Sequence, residues 1–307
     1  MIKNKMLKNA SWILGGHLLQ MLLQFVVGIL TTRFLGPANY GTINYVLSYV
    51  GFFSAFCGLG MNGVVINDLV HHRTEEGKII STCIILRFIA AIFSAIAVLM
   101  LILVADPNDK TVFCIAILEI IQLPFSAFNT VDYWFQSKLE SKYAVILRNI
   151  AYVITTIYKV YLLITAKSVY WFAAAVSLDI MLQGIMYLFI FQKRRNKKNK
   201  LGYSRVVAGR ILGACGPFLL ANLMVQIHQQ TDKIMIKSIL GSSEFVGLYM
   251  AVTTICNIMG FVPTAILDSA RPVVMELKYT DEKRYQYRMR QMFAVIFCVN
   301  IVYACFV

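Results

Sequence analysis

RFLGPANYGTINY, residues 33–45, returns about two hundred residues later as KSILGSSEFVGLY, residues 237–249. Leu35-Gly36 aligns with Leu240-Gly241, and Gly41 aligns with Gly247 after one inserted residue. Both copies lie between long apolar runs. The chain therefore reads as two parallel halves that share a helix–turn–helix unit, the kind of internal repeat from which polytopic membrane proteins are built.

Composition agrees with that reading. Of 307 residues, 59% are hydrophobic and only 14% are charged, so a soluble domain of this size could not hide its apolar surface. The mean hydropathy of +0.68 points the same way. Lys3, Lys5 and Lys8 precede an apolar stretch too long for a signal peptide and without a small-residue cleavage site, so it reads as a retained first span. The seven cysteines lie within apolar runs and show no metal-binding spacing, as expected of apolar filler.

Nine runs approach the roughly 20 residues needed to cross a bilayer. They are placed at 10–32, 43–66, 79–104, 112–135, 145–166, 169–191, 211–236, 245–267 and 291–307. Most of the 29 basic residues fall before the first span and after the second, fourth, sixth and eighth. The richest loop, KRRNKKNK at 193–200, follows the sixth. The positive-inside rule then predicts a cytoplasmic N-terminus. It also explains the net charge of +14 without nucleic acid, which would need one folded basic surface. The expected division is a six-helix lobe over 1–192, a cytoplasmic basic linker over 193–210 and a partial second lobe of three spans over 211–307. A repeat offset of about 205 residues predicts that a full second half runs past residue 400, so the sequence reads as C-terminally incomplete.

Polar residues inside the spans are few and ordered. His17, Gln20, Gln24, Gly28 and Thr31 share one face of the first span. Asn222, Gln226, Gln229, Lys233 and Lys237 share one face of the seventh. The repeat superposes the two stripes, which predicts that they face water, each other or other helices and not lipid. Asn44, Ser48, Gly51, Ala55, Gly58 and Asn62 form a small-residue seam suited to close helix packing. Charges at depth are Arg87, Glu119, Asp132, Lys159 and Asp179, with Asp232 toward the end of the seventh span. For Lys159, an ion pair with Glu119 or Asp179 is the structural alternative to a place in a cavity.

Three segments carry a family resemblance: TTRFLGPANYGTINYVLSYVGFFSAFCGLGMNGVVINDLV (31–70), DYWFQSKLESKYAVILRN (132–149) and ANLMVQIHQQTDKIMIKSILGSSEFVGLY (221–249). The sequence resembles the polysaccharide-transporter branch of the multidrug/oligosaccharidyl-lipid/polysaccharide exporter superfamily, which includes the Wzx-type O-antigen flippases. The resemblance implies an all-α polytopic membrane protein of two pseudo-repeated lobes in a bacterial cytoplasmic membrane. Its implied activity is to move an undecaprenyl-pyrophosphate-linked oligosaccharide repeat unit across the membrane for surface polysaccharide synthesis. A polysaccharide polymerase and chain-length machinery are implied partners, beside membrane lipid.

On that reading Arg33, Arg87, Lys159, Lys233 and Lys237 are candidate anion partners, and Gln20, Gln24, Asn222, Gln226 and Gln229 are candidate partners of sugar hydroxyls. Asp132, Asp179 and Asp232 are candidates for proton or sodium coupling, which the sequence leaves open; no cofactor, metal or catalytic residue is expected. The alternatives are a cation-coupled small-molecule exporter of the same superfamily and an inactive truncated fragment. A membrane glycosyltransferase would carry a large exterior loop or a D-x-D motif, and the sequence has neither.

Overall fold

The computed structural model describes residues 2–195, 201–259 and 282–306. Eleven α-helices, α1–α11, fill these residues. In order they are Ile2–Gly58, Met61–His71, Glu76–Ala105, Lys110–Ile120, Gln122–Ser126, Thr130–Ser137, Ser141–Ile164, Val169–Arg194, Arg205–Leu240, Ser243–Met259 and Glu282–Phe306. Short 3-10 turns at Arg73–Glu75 and Ala127–Asn129 link α2 to α3 and α5 to α6. Among the described residues, six runs are long and apolar enough to cross a membrane.

The opening motif is where helix α1 breaks, and the break is sharper than a thirteen-residue turn. The helix runs through Arg33–Leu35, stops at Gly36 (φ 71°, ψ 167°) and restarts at Pro37. That backbone region is open essentially to glycine alone. Proline suits the first position of the next helical arm, where its missing N–H is not needed. The first two expected spans are thus the arms 2–35 and 37–58 of one bent helix, the second continuing into α2. In the repeated motif Gly241 also has positive φ (69°) and closes α9, its N–H bonding the Lys237 carbonyl at 2.8 Å. The fourth expected span is a broken helix, α4–α5–α6, with Pro124 in its middle piece. The eighth agrees with α10 as far as Met259, and its remaining residues lie outside those described. The 193–200 loop is described only to Arg195.

The two copies of the motif pack against each other. A methyl group on Gly41 would overlap the Ser243 carbonyl, and one on Gly247 would overlap the Pro37 carbonyl. With the offset of 206 set by Gly41 and Gly247, Pro37 corresponds to Ser243. The contact is therefore reciprocal, each copy placing its glycine against the other's first helical residue. Helix α1 packs most extensively against α10, then against α9 and α7.

Two apolar clusters stack along the helix axes. One gathers Tyr45, Val46, Val98, Ile102, Ile115 and Phe172. The other gathers Met61, Ile79, Val131, Trp134, Phe135 and Ile211, toward the end that carries the basic 193–210 loop. Ion pairs tie helices at both ends. At the basic-loop end, Arg210 Nη2 donates to Asp68 Oδ2 at 2.9 Å, joining α9 to α2. At the opposite end, Lys237 Nζ donates to Asp106 Oδ1 at 2.9 Å and lies 4.0 Å from the centre of the Tyr45 ring, joining α9 to α3 and α1.

Candidate functional site

A recess of about 310 Å³ opens between the two arms of α1 and the helices α7 and α8. The first arm contributes Gln24, Gly28 and Thr31, three members of its polar stripe. The second arm contributes Tyr40 and Asn44. Helix α7 adds Tyr152 and Lys159, and α8 adds Phe172, Val176, Asp179 and Ile180. The bend at Gly36 makes the recess, since a straight α1 could not place Thr31 and Tyr40 on two walls of one hollow.

The charges here are arranged unevenly. Asp179 accepts from Thr155 Oγ1 at 3.3 Å and from Gln183 Nε2 at 3.1 Å. Glu119, fully buried behind the recess, accepts from Gln122 Nε2 at 2.8 Å and lies 3.5 Å from Ser177 Oγ. Lys159 is electrostatically coupled to both carboxylates. Among the described residues, however, neither closes a salt bridge or hydrogen bond with its ammonium. Both carboxylates are held by neutral donors, and Lys159 lines the hollow beside them.

Of the candidate site residues named from the sequence, Gln24, Lys159 and Asp179 are brought together here, beside Gly28, Thr31 and Asn44. Gln20 is half-buried one turn before Gln24, and Arg33 is exposed at the end of the first arm. Arg87 lies elsewhere. It is 5% exposed, donates from Nε to the Cys57 carbonyl and from Nη1 to Thr130 Oγ1 (both 3.1 Å), and stacks near Tyr133. Its place is a tie between α1, α3 and α6, outside the recess. Lys237 is engaged by Asp106. Lys233 Nζ donates to Gln230 Oε1 at 2.7 Å, and Gln230 donates on to Gln226 at 3.1 Å, so this part of the α9 stripe is a ladder along its own helix. Asn222 and Gln229 are exposed on α9. Asp232 accepts from the Tyr249 hydroxyl on α10. Asp132 accepts from Gln136 at 3.2 Å and interacts electrostatically with Arg148.

Of the alternatives open for the two stripes, the α1 stripe at this site takes other helices. The α1 stripe turns toward α7 and α8 of its own half, while Gln230 of α9 packs on Gly51 in the second arm. Sequence reasoning missed Tyr40 and Tyr152, whose positions on the polar faces of their helices were the available signal. It also missed Asp106, which looks like an ordinary loop acid.

The fold recurs in known proteins. The chain is similar to a multidrug resistance MATE family transporter of the MOP superfamily in its outward-facing conformation, with 14% identity, a TM-score of 0.61, and coverage of 95% of this chain and 73% of that one. It is similar to such a transporter in its inward-facing conformation, with 13% identity, a TM-score of 0.59, and coverage of 94% and 69%. At these identities the likeness is one of fold, and the fold is that of an all-α, polytopic membrane protein. No curated protein sequence matches the chain. Residues 6–278 match the family described as polysaccharide biosynthesis protein, and the chain belongs to that family.

Proposed function

We propose that this protein is a flippase for a lipid-linked oligosaccharide, working in a bacterial cytoplasmic membrane in the synthesis of a surface polysaccharide. The observation that carries this reading is a polar, charge-bearing recess among apolar helices, in a chain of the polysaccharide biosynthesis family. A saccharide head crossing bare lipid would leave its hydroxyls and its pyrophosphate without partners. Walls of amide, hydroxyl and ammonium groups replace the lost water. In this reading 1–192 and 211–307 belong to two lobes that rock about their seam, joined by the 193–210 linker on the cytoplasmic side, while the lipid tail stays in the bilayer. A cysteine at position 108 should then react with an impermeant reagent in intact cells, and one at position 197 should not; the reverse pattern would invert the orientation.

One observation favours a second reading, a cation exporter. Asp179 lines the recess with Glu119 behind it, so the acids there outnumber Lys159. Complementation separates the two. Cells lacking the gene should lose surface polymer and accumulate lipid-linked saccharide, with unchanged efflux of cationic dyes; intact polymer with impaired dye efflux would establish the second reading. In the same cells, Lys159→Ala should lower export per unit of membrane protein about tenfold, the worth of one hydrogen bond to a charged group. Lys159→Arg should retain part of it, because charge is kept while geometry changes. A fall in protein level alone, restored by adding Asp179→Asn, would make Lys159 a structural counter-charge.

A further inference from the structure

We infer that the recess between α1, α7 and α8 is a subsite for one uncharged sugar residue of the head group and excludes the pyrophosphate. This rests on the flippase reading and narrows it. The sequence alone made Lys159 a partner for the anion, and its surroundings argue otherwise.

The groups facing the hollow divide into donors and acceptors. Lys159 offers N–H groups that no described residue accepts, and the Gln24 amide makes no hydrogen bond among the described residues. On the acceptor side, Asn44 has its Nδ2 engaged by the Tyr40 carbonyl at 2.9 Å, which leaves Oδ1 to accept. Thr31 donates to the Val27 carbonyl at 2.7 Å, which leaves the lone pairs of its oxygen. Asp179 retains lone pairs beyond its two bonds.

A sugar hydroxyl both donates and accepts, so it can answer either kind of wall. A pyrophosphate carries acceptors only. It would satisfy Lys159 and Gln24 but set its oxygens against those of Asn44, Thr31 and Asp179. Charge points the same way, since Lys159 already has the Asp179 and Glu119 carboxylates as counter-charges, and an incoming anion meets no net positive field.

Size and shape agree. About 310 Å³ is at the lower end of the range for small-molecule sites, room for one ring and not for an oligosaccharide. Tyr40, Tyr152 and Phe172 give aromatic surface for the C–H face of a pyranose, and the polar groups hold its edge. The recess thus reads one sugar of the repeat unit while the charged linkage stays outside it.

The test uses the whole chain in lipid nanodiscs, with its native cysteines replaced and Val176→Cys as a reporter on the recess wall. The rate of modification by a small polar thiol reagent is measured with three probes: the lipid-linked saccharide extracted from the cell of origin, bare polyprenyl pyrophosphate, and inorganic pyrophosphate. The saccharide-bearing lipid should slow modification about tenfold, and the other two should leave it unchanged. Lys159→Met should abolish that protection. Equal protection by bare polyprenyl pyrophosphate would overturn the inference and make the recess an anion site. A second reporter, Gln229→Cys on α9, separates the remaining outcomes. Protection at 229 without protection at 176 would keep the flippase reading and overturn the subsite. Protection at neither would overturn both.

Discussion

Gly247→Val is expected to unseat the two halves of the molecule from each other. The α10 backbone at this point rests on the Pro37 carbonyl, and both partners are main chain, which cannot swing aside as a side chain would. Overpacking of this kind costs on the order of 3 kcal/mol. The purified protein should melt well below wild type, and its level in the membrane should fall. Gly41→Val should have a similar effect because it meets the Ser243 carbonyl in the same way. The double variant should lose less than the sum, since the first change has already parted the contact. Gly213→Ala in α9, where an added methyl meets nothing within 4 Å, is the control and should be neutral or stabilising by up to about 1 kcal/mol. An unchanged melting temperature in Gly247→Val would show that the two motifs are not in contact.

Lys237→Ala should be nearly as damaging, for an electrostatic reason. Lys237 and Asp106 are only 10% and 19% exposed at the side chain, and Tyr45 covers the ammonium. Removing one partner leaves the other charge buried alone, at a cost of about 3 kcal/mol. Replacing both, with Lys237→Met and Asp106→Leu, should recover most of the stability, because no orphaned charge remains. If the pair also holds the seam shut at this end, the stable double variant should still export poorly. A double variant with normal export would confine the pair to a structural part. Arg210→Ala, at the basic-loop end, should lose less, about 1–2 kcal/mol, since Arg210 is 35% exposed and the Asp68 left behind, though 8% exposed, keeps His72 Nδ1 at 3.0 Å.

What the sequence made legible was what depends on local chemistry. Leu35-Gly36 and Leu240-Gly241 matched as letters, and both glycines have positive φ because each ends a helical arm. The spans were legible from hydropathy, and the α1 stripe from helical steps of three and four. Those steps fix which residues share a face, but not which helix meets that face. Thus Gln24 was found, and its partner surface on α7 and α8 was not. Arg87 looked like a cavity cation because its acceptors are a carbonyl 30 residues away and a hydroxyl 43 residues away, invisible in any local window. Lys237 and Asp106 are 131 residues apart, on helices whose adjacency follows only from how the two halves pair. The stripe on α9 was real as a face, yet its inner members hydrogen-bond along their own helix.

The reciprocal contact of Gly41 and Gly247 also constrains how this chain can evolve. A contact that maps onto itself under a half-turn is the contact that two identical subunits make. Each motif carries both the glycine that yields space and the first helical residue that fills it, so each would fit a copy of itself as well as it fits its neighbour. Because the obstacle at each glycine is the other motif's main-chain carbonyl, no side chain chosen at 243 or 37 can make room for one gained at 41 or 247. Two positions separated by most of the chain are thereby held to glycine by the same contact, read from its two sides.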